Sequence, residues 1–421
     1  MTPIQFSQWV EALTLVLPAI SPADVTLQHF FRNHPKLGSR DRALIAENIY
    51  AILRRRRMLE HEVPDGNPRK LALASLLKLH GWSLQQLAPL MRRGDDAWLV
   101  AVKTSDRDEL PFAVRADLPD WVVERLRKSM PDGEILAIAQ GMQSSAPLDL
   151  RVNTVRTKRE AVLAQFAREG IDAQPTPFSP IGVRLKEKIA LNKHPLFLSG
   201  DVEVQDEGSQ LLGLMVEARR GEMVVDFCAG AGGKALLLGA AMQSQGRVYA
   251  FDISEKRLNN LGPRLKRSGL SNLFPNRIDS ENDTKVKRLA GKIDRVLVDA
   301  PCTGLGTLRR NPDLKSRQNE TGLGELNAKQ AAILDSAARL VKSGGRLVYA
   351  TCSLLREENE DIVAAFLSSH PEFRIVPAAE VLARLKIDLP DTGEFLRLWP
   401  HRHHTDGFFA AILERASKAG S

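Results

Sequence analysis

Cysteine is scarce in this sequence, with three cysteines among 421 residues. So small and odd a number cannot build a disulfide framework, and we therefore expect a protein of a reducing compartment. The cysteines do not form the C-x-x-C pairs that are typical of zinc sites, and no histidine adjoins the last two. A metal site is an alternative that this spacing disfavours, so we predict none.

Long hydrophobic runs are also lacking. The hydrophobic share is 43% and the charged share 26%, which is an ordinary balance for globular domains. No segment approaches the ~18 consecutive apolar residues of a membrane span. The first residues do not show a positive segment followed by an apolar one, as a secretory signal would. We expect a cytoplasmic protein that has no membrane partner.

Basic residues exceed acidic ones, which fits a polyanionic partner. Lysine and arginine number 59 against 51 acids, for a net charge of +8. Many proteins reach such a charge without binding nucleic acid, so charge alone leaves the question open. The arginine runs at 54–57 and 309–310 are candidate phosphate contacts, with solvated basic faces as the alternative.

The first third of the chain has the periodicity of helices. Phe6, Trp9 and Leu13 recur at helical spacing, and the same pattern returns in later segments. No segment before residue 143 alternates like a strand. We predict an all-α domain over residues 1–142.

The pattern then changes twice. Residues 143–203 are predicted to form a small α+β subdomain, with strands at 148–152 and 182–185. From 204 to 421 strands and helices alternate, which predicts an open parallel sheet covered by helices on both faces. The predicted strands of this sheet are 223–227, 247–251, 293–298, 346–350 and 408–413. Ligands of such sheets lie beyond the carboxyl ends of the strands.

A glycine-rich turn follows the first strand of this sheet, with the sequence DFCAGAGGK at 226–234. Glycine and alanine let the backbone turn tightly and approach a ligand closely. The spacing is neither the G-x-G-x-x-G of dinucleotide enzymes nor a P-loop. Asp252 ends the next strand, where a carboxylate can accept both ribose hydroxyls of an adenosine-type cofactor. A tight turn without a ligand is the alternative, and Asp252 argues against it.

All three cysteines fall at carboxyl ends of predicted strands. Cys302 lies in DAPCTG after one strand, Cys352 in TCS after another, and Cys228 in the glycine-rich turn. Structural cysteines are usually scattered and buried. Clustering on one rim of one sheet therefore indicates a chemical role.

Cytosine methylation gives a reason for thiols at this rim. Carbon 5 of cytosine is a poor nucleophile, but a thiolate that adds to carbon 6 makes the ring enamine-like, so that carbon 5 can attack a methyl sulfonium. The thiolate is the reactive form, so its pKa must be lowered or a base must lie near. Asp299 could bond the N3 and amino edge as charge develops there. The spacing leaves open which cysteine adds.

These motifs resemble those of the RsmB/Sun (Fmu) family of bacterial ribosomal RNA (cytosine-5)-methyltransferases, and the resemblance covers nearly the whole chain. The most specific segments are DAPCTG at 299–304 and TCS at 351–353. Supporting segments are SRDRA at 39–43, YAILR at 50–54, VQDEGSQ at 204–210, RRNPD at 309–313 and TDGFF at 405–409.

The resemblance implies a multidomain fold. A NusB-like all-α domain would occupy 1–142, an RRM-like α+β subdomain 143–203, and a Rossmann-like class I methyltransferase domain 204–421. It implies S-adenosylmethionine as the cofactor and RNA, above all small-subunit ribosomal RNA, as the partner, gripped by the helical domain and the small subdomain. We expect a monomer, because no heptad or swapped element indicates otherwise.

The resemblance also implies roles for site residues. Cys352 would be the nucleophile and Cys302 would assist product release, although DNA cytosine-5 methyltransferases use the cysteine that follows proline. Asp299 and Lys234 would complete the catalytic group. The cofactor would be bound by Cys228, Ala229, Gly230, Ala231, Gly232, Gly233, Lys234, Asp252, Arg257, Asp279 and Asp299, with Asp252 on the ribose and Asp279 near the adenine.

One segment departs from the family pattern. The family's loop usually reads CAAPGGK, whereas Gly230 and Ala231 stand here in place of alanine and proline. Loss of the proline loosens the loop by about 1 kcal/mol. We expect a small effect on cofactor affinity and none on the chemistry.

Two other functions remain as alternatives. A non-catalytic RNA-binding or assembly factor would need decayed site residues, and here they are intact. A methyltransferase acting on an exocyclic nitrogen often carries an Asn/Asp-Pro-Pro-aromatic stretch at the fourth strand. The sequence DAPC at 299–302 lacks the aromatic residue.

Overall fold

The computed structural model describes residues 1–106, 109–187 and 189–417. The chain divides into two compact units. The first comprises Met1–Ser145 with Thr307–Glu320, and the second Ala146–Gly306 with Thr321–Ser421. Within the described ranges, no helix is long and apolar enough to cross a membrane.

The helices and strands have the following bounds. The helices are α1 Pro3–Val16, α2 Ala23–Asn33, α3 Ser39–Arg54, α4 Arg56–Glu62, α5 Pro68–Lys78, α6 Leu84–Leu87, α7 Asp95–Thr104, α8 Phe112–Ala116, α9 Asp120–Arg127, α10 Asp132–Met142, α11 Arg159–Arg168, α12 Pro195–Leu198, α13 Glu207–Leu214, α14 Gly233–Ala241, α15 Glu255–Ser268, α16 Thr284–Lys287, α17 Leu314–Arg317, α18 Glu320–Leu340, α19 Glu360–Ser369, α20 Ala378–Leu385 and α21 Pro400–His403. The strands are β1 Leu148–Val152, β2 Ala173–Pro175, β3 Gly182–Leu185, β4 Val202–Val204, β5 Met223–Asp226, β6 Arg247–Asp252, β7 Leu273–Arg277, β8 Ile293–Asp299, β9 Val341–Thr351, β10 Phe373–Val376, β11 Leu396–Leu398 and β12 Phe408–Arg415.

The first unit is helical throughout its described residues, as predicted. Helix α1 begins at a capping box formed by Thr2 and Gln5, which satisfies backbone donors at the helix start. Trp9 is fully buried and meets Phe6 edge to face at 5.8 Å. Helices α1, α2, α3 and α5 bury their apolar faces in this one core.

A buried ion pair joins the segment Thr307–Glu320 to the rest of this unit. The Nζ atom of Lys315 lies 2.9 Å from Oδ1 of Asp117 and donates also to the carbonyl oxygen of Arg54 at 2.9 Å. Burial lowers the pKa of Lys315. The Asp117 carboxylate accepts the backbone N–H of Arg57 as well, at the start of α4. The pair therefore fixes both the segment that carries Lys315 and the start of α4.

The run of four arginines at 54–57 spans the end of α3 and the start of α4, and it makes bonds inside the same unit. Arg56 lies 2.7 Å from Glu60, and Arg57 is bound by both carboxylate oxygens of Asp120 at 3.1 and 3.0 Å. Arg309, in the second predicted basic run, is 5% exposed. These groups therefore have partners within the fold, and their role as phosphate contacts stays a prediction.

The second unit contains a small antiparallel sheet with the strand order β2-β3-β1-β4. Leu150 and Val152 of β1 pack with Phe166 of α11 on one face. The opposite face carries Asp149 and Arg151, which are also buried. An RRM stacks bases on its open sheet face, whereas here the β1 residues of that face are covered within the unit. The predicted grip on RNA by this subdomain stays a prediction.

The large sheet has the order β10-β12-β9-β8-β5-β6-β7, and β11 pairs with β12. The strands from β9 to β7 are parallel, which confirms the predicted Rossmann-like core. The strands at the other edge, β10, β11 and β12, are antiparallel, whereas the sequence predicted parallel strands throughout. Val224 and Val225 are both fully buried on opposite faces, so helices cover both sides.

The predicted domain boundaries stay predictions. Both sheets belong to the second compact unit, and the first unit also takes up Thr307–Glu320, which the sequence did not suggest. Residues 107–108, 188 and 418–421, which the predicted domains include, lie outside the described residues.

Replacement of Asp117 by alanine should destabilise the helical unit by about 3–5 kcal/mol, because it leaves the Lys315 ammonium buried without its partner. Urea unfolding followed by tryptophan fluorescence measures this unit, since four of the five tryptophans lie in it. The control is Asp65→Ala, which removes an exposed pair with Lys70 and should leave the midpoint unchanged. Equal midpoints for both variants would show that the buried pair contributes nothing.

Candidate active site

A cavity of about 680 Å³ opens at the carboxyl ends of the parallel strands. The loops after β5, β6, β8 and β9 and one side of α18 line it, so it occupies the place expected of a ligand site in such a sheet. Its position follows from topology, because parallel strands all end at the same edge.

Most of the predicted site residues line this cavity. They are Cys228, Ala229, Gly230, Ala231, Asp252, Arg257, Asp299, Cys302 and Cys352. Gly232, Gly233 and Lys234 are not in the lining but form the end of the glycine-rich loop and the start of α14. Asp279 is also outside the lining, with a side chain that is 81% exposed and paired with Arg277 at 3.1 Å. Its role near the adenine stays a prediction.

The glycine-rich loop is held at several points. Gly230 has a φ of +55° and donates its N–H to Asp252 at 2.8 Å. Arg264 donates to the carbonyl of Ala231 and Arg151 to that of Gly233, both at 2.6 Å. These two guanidinium bonds supply order to a loop that lacks the family's proline.

Glycine at position 232 is required by both space and conformation. Its φ is +79°, and a Cβ atom there would lie 2.2 Å from Leu261. Any larger residue would be strained at this φ, and the Leu261 side chain would have to shift.

The carboxylates at the base of the cavity suit a cationic ligand. Asp226 is 1% exposed, and no side chain in the described part of the chain hydrogen-bonds either of its oxygens. Burial and the nearby charge of Asp299 raise the pKa of Asp226 to about 7. Asp226 is not in the lining of the cavity, whereas Asp252 and Asp299 are. A bound cation relieves such crowding, so these residues fit a sulfonium cofactor.

Lys234 pairs with Asp299 at 2.7 Å, beneath the cavity. Burial alone would lower the pKa of Lys234, but the charge of Asp299 outweighs it and raises that pKa. The lysine is therefore charged and directs one carboxylate oxygen of Asp299, while Asp299 itself remains 30% exposed to the cavity.

Two of the three free cysteines meet in the cavity. The Sγ atoms of Cys302 and Cys352 are 3.4 Å apart. The hydrogen bond to Cys352, together with burial, raises the pKa of Cys302 well above that of a free thiol. Burial likewise raises the pKa of Cys228. Within the described residues there is no group of three or more His, Cys, Asp or Glu side chains that could bind a metal ion.

Three loops are joined by backbone bonds around these cysteines. Gly306 donates its N–H to the carbonyl of Cys352 at 2.8 Å, and Gly407 donates to the carbonyl of Gly306 at 2.8 Å. A Cβ atom on Gly306 would lie 2.1 Å from the oxygen of Gly407. These bonds connect the segment near residue 407, far along the chain, to the loops that carry the two cysteines.

The sequence reasoning missed several residues of the lining. Ile253 and Ile278 follow the ends of β6 and β7, and Ile253 is 51% exposed. Glu281 and Lys329 also line the cavity. The apolar residue directly after Asp252 could have been predicted as part of the site, because a residue at a strand end on this rim faces the ligand.

Comparison with protein families matches most of the chain. The family described as 16S rRNA methyltransferase RsmB/F matches residues 213–414. A second family, the RsmF/B-like ferredoxin-like domain, matches residues 118–192 and so begins before the small sheet.

Known proteins are similar over comparable lengths. The probable ribosomal RNA small subunit methyltransferase B of Synechocystis is 30% identical, over 94% of this chain and 96% of that protein. The ribosomal RNA small subunit methyltransferase B of Yersinia pseudotuberculosis is 34% identical over 70% of this chain and 66% of its own length.

Solved structures share the architecture. The crystal structure of PH0851 superposes with a TM-score of 0.81 at 26% identity, covering 99% of both chains. NSun6 from Pyrococcus horikoshii, solved with SFG, gives a TM-score of 0.63 at 20% identity over 71% of this chain and 99% of that one, which shows the shared fold alone.

Two findings lead to the same conclusion. One is the similarity to a methyltransferase over nearly the whole length, and the other is the cavity with carboxylates at the rim of a Rossmann-like sheet. The chain belongs to the RsmB/F family of ribosomal RNA methyltransferases and is an S-adenosylmethionine-dependent RNA methyltransferase.

Proposed function

We propose that the protein methylates carbon 5 of a cytosine in small-subunit ribosomal RNA through a covalent adduct with Cys352. The observation that carries this proposal is the 3.4 Å separation of the Cys302 and Cys352 sulfur atoms in the cofactor cavity. Methyl transfer to an exocyclic nitrogen needs no thiol, whereas carbon 5 needs a nucleophile on carbon 6. Two thiols in contact therefore favour carbon 5.

Addition begins the reaction. The Cys352 thiol loses its proton to solvent, and its sulfur forms a bond to carbon 6. The electron pair of the 5,6 double bond moves to carbon 5 and on towards N3, which takes up a proton from solvent. The Asp299 carboxylate accepts hydrogen bonds from N3–H and the amino group as this charge develops. Lys234, 2.7 Å from Asp299, orients that carboxylate. When bound, S-adenosylmethionine supplies the methyl group to carbon 5 as an electrophile.

Release requires two further bond changes. The protons leave N3 and carbon 5, the 5,6 double bond forms again, and the bond between Cys352 and carbon 6 breaks. Cys302 is beside the departing sulfur, and its raised pKa keeps it a thiol. Cys302 can therefore donate its proton to the Cys352 sulfur, and the thiolate so formed can accept the carbon 5 proton, while the N3 proton returns to solvent.

Cofactor binding is proposed for the lining of the cavity. Asp252 would accept the ribose hydroxyls, because its carboxylate ends β6 beside the loop. Ile253 and Ile278 would cover the apolar faces of the adenine. Arg257 lies in the lining and would contact the cofactor at the edge of the cavity. Lys234 would act through Asp299 rather than on the cofactor.

The proposed RNA substrate rests on the names of the relatives, which are small-subunit ribosomal RNA methyltransferases. A cytosine reaches this rim only when it is unpaired or flipped out of a helix. Bisulfite sequencing of 16S RNA from cells with and without the gene would locate it. Nuclease digestion followed by mass analysis separates 5-methylcytidine, the expected product, from an N-methylated nucleoside, which would refute the proposal.

Replacement of Cys352 by alanine should lower methyl transfer by about 10³-fold or more, because the nucleophile is lost. Cofactor binding, measured by calorimetry, should stay within about twofold, since the proposed ribose and adenine contacts are untouched. Labelled cofactor and transcribed 16S RNA provide the assay. Full activity in this variant would rule out the covalent mechanism.

Replacement of Cys302 by alanine should instead trap the intermediate. Addition through Cys352 still occurs, but release slows, so a protein–RNA adduct should persist on a denaturing gel. The double variant Cys302→Ala, Cys352→Ala is the matched control and should show no slow band. An adduct in the double variant, or none in the single one, would contradict the assigned roles.

A further inference from the structure

Glu358 is a buried carboxylate that the proposed chemistry does not use. It is 0% exposed and lies in the turn between β9 and α19. It is not in the lining of the cofactor cavity, so it does not reach substrate. A carboxylate without donors would be strongly destabilising in such a place, and the structure provides a full set of them.

Four donors meet the two oxygens of this carboxylate. Oε1 accepts the backbone N–H of Thr303 at 2.8 Å and Nε2 of Gln330 at 3.0 Å. Oε2 accepts the hydroxyl groups of Thr303, at 2.5 Å, and of Ser353. An ionised carboxylate offers about four acceptor positions, so all of them are occupied.

The donors are the neighbours of the two cysteines. Thr303 directly follows Cys302, and Ser353 directly follows Cys352. The same Nε2 atom of Gln330 also donates to the carbonyl of Pro301, at 3.0 Å, on the other side of Cys302. One buried carboxylate is therefore the common acceptor for the loop after β8 and the loop after β9.

The turn that carries Glu358 is itself fixed. The hydroxyl group of Tyr349 donates to the backbone carbonyl of Glu358 at 2.7 Å. Asn359 bonds the hydroxyl of Thr351 and the carbonyl of Ser353, the latter at 3.2 Å. Residues of β9 thus fix the position of the carboxylate. The carboxylate in turn holds the loop after β8 in place.

We propose that Glu358 is a positioning residue that holds the sulfur atoms of Cys302 and Cys352 in contact. The effect on catalysis rests on the proposed function, whereas the effect on the distance between the two sulfur atoms does not. Without the shared acceptor, four buried donors lose their partner and the two loops separate. A displacement of about 1 Å costs covalent chemistry roughly 10²-fold. The cofactor pocket is on the other side of the cysteines and should keep its affinity.

Two substitutions at Glu358 separate the effect of side-chain length from the effect of charge. Glu358→Asp keeps the charge but is one methylene shorter, so it cannot serve both loops. Glu358→Gln keeps the reach, since its oxygen can accept the two N–H donors and its amide can donate to the hydroxyl groups. We expect a loss in kcat of about 10²-fold for the first and about 10-fold for the second, with KM for the cofactor unchanged. Glu357→Gln, in the same turn, is the matched control and should behave as wild type.

A thiol cross-link reports the distance without any methylation assay. Oxidised glutathione converts the two thiols into a disulfide and is itself reduced to two molecules of glutathione. Intact mass shows the loss of two hydrogen atoms, and peptide mapping identifies the link between Cys302 and Cys352. Wild type and Glu357→Gln should cross-link readily. Glu358→Asp should do so at least about tenfold more slowly, because its sulfur atoms are no longer in contact.

The outcomes are distinguishable. Cross-linking of Glu358→Asp at the wild-type rate, or no cross-link in wild type, would overturn the positioning role. Slower cross-linking together with a product other than 5-methylcytidine would support the positioning role and refute the proposed function. Thermal unfolding checks each variant. If Glu358→Asp does not fold, Glu358→Gln decides instead: loss of the charge weakens the bonds to both loops, so we expect a cross-link slower than in wild type, and a wild-type rate together with an unchanged kcat would overturn the positioning role.

Discussion

The contact between two sulfur atoms at the rim of the large sheet is the constraint on which the rest of the site depends. Strands β8 and β9 are parallel neighbours, with Asp299 opposite Ala350. Cys302 and Cys352 come shortly after these partners, so the sheet register itself brings their loops together. Strand spacing alone leaves the sulfurs free to diverge. The backbone bonds around Gly306 and the carboxylate of Glu358 turn this proximity into a contact of 3.4 Å.

Electrostatics organise the other side of the cavity. Asp226, Asp252 and Asp299 converge on the ends of the strands, and one lysine, Lys234, offsets part of their charge. A bound cation would balance the remaining negative charge, and the sulfonium of S-adenosylmethionine has the right sign. Burial, followed by the charges of the same acids, raises the pKa of Cys228, whereas the pKa of Cys302 is raised by its hydrogen bond to Cys352 and by burial.

Periodicity predicted the central strands and the cysteine positions, because the buried strands read as short apolar runs and all end at one rim. It missed β7, whose Pro275 reads as a break but is tolerated at the edge of the sheet, where a missing N–H costs little. It could not show that Thr307–Glu320 packs with the first unit, because nothing local distinguishes Lys315 as the partner of Asp117. The partners of the arginine runs could not be predicted for a related reason, since they lie at other places in the sequence.

The central claim is that Cys352, and not its neighbour, bonds to the cytosine ring. RNA in which the target cytosine carries fluorine at carbon 5 tests this directly, because after methyl transfer no proton can leave and the adduct cannot collapse. Incubation with the cofactor, followed by digestion and mass spectrometry of the linked peptide, identifies the sulfur. The account predicts a methylated fluorocytidine bound to Cys352. A link through Cys302, or no stable link at all, would contradict it.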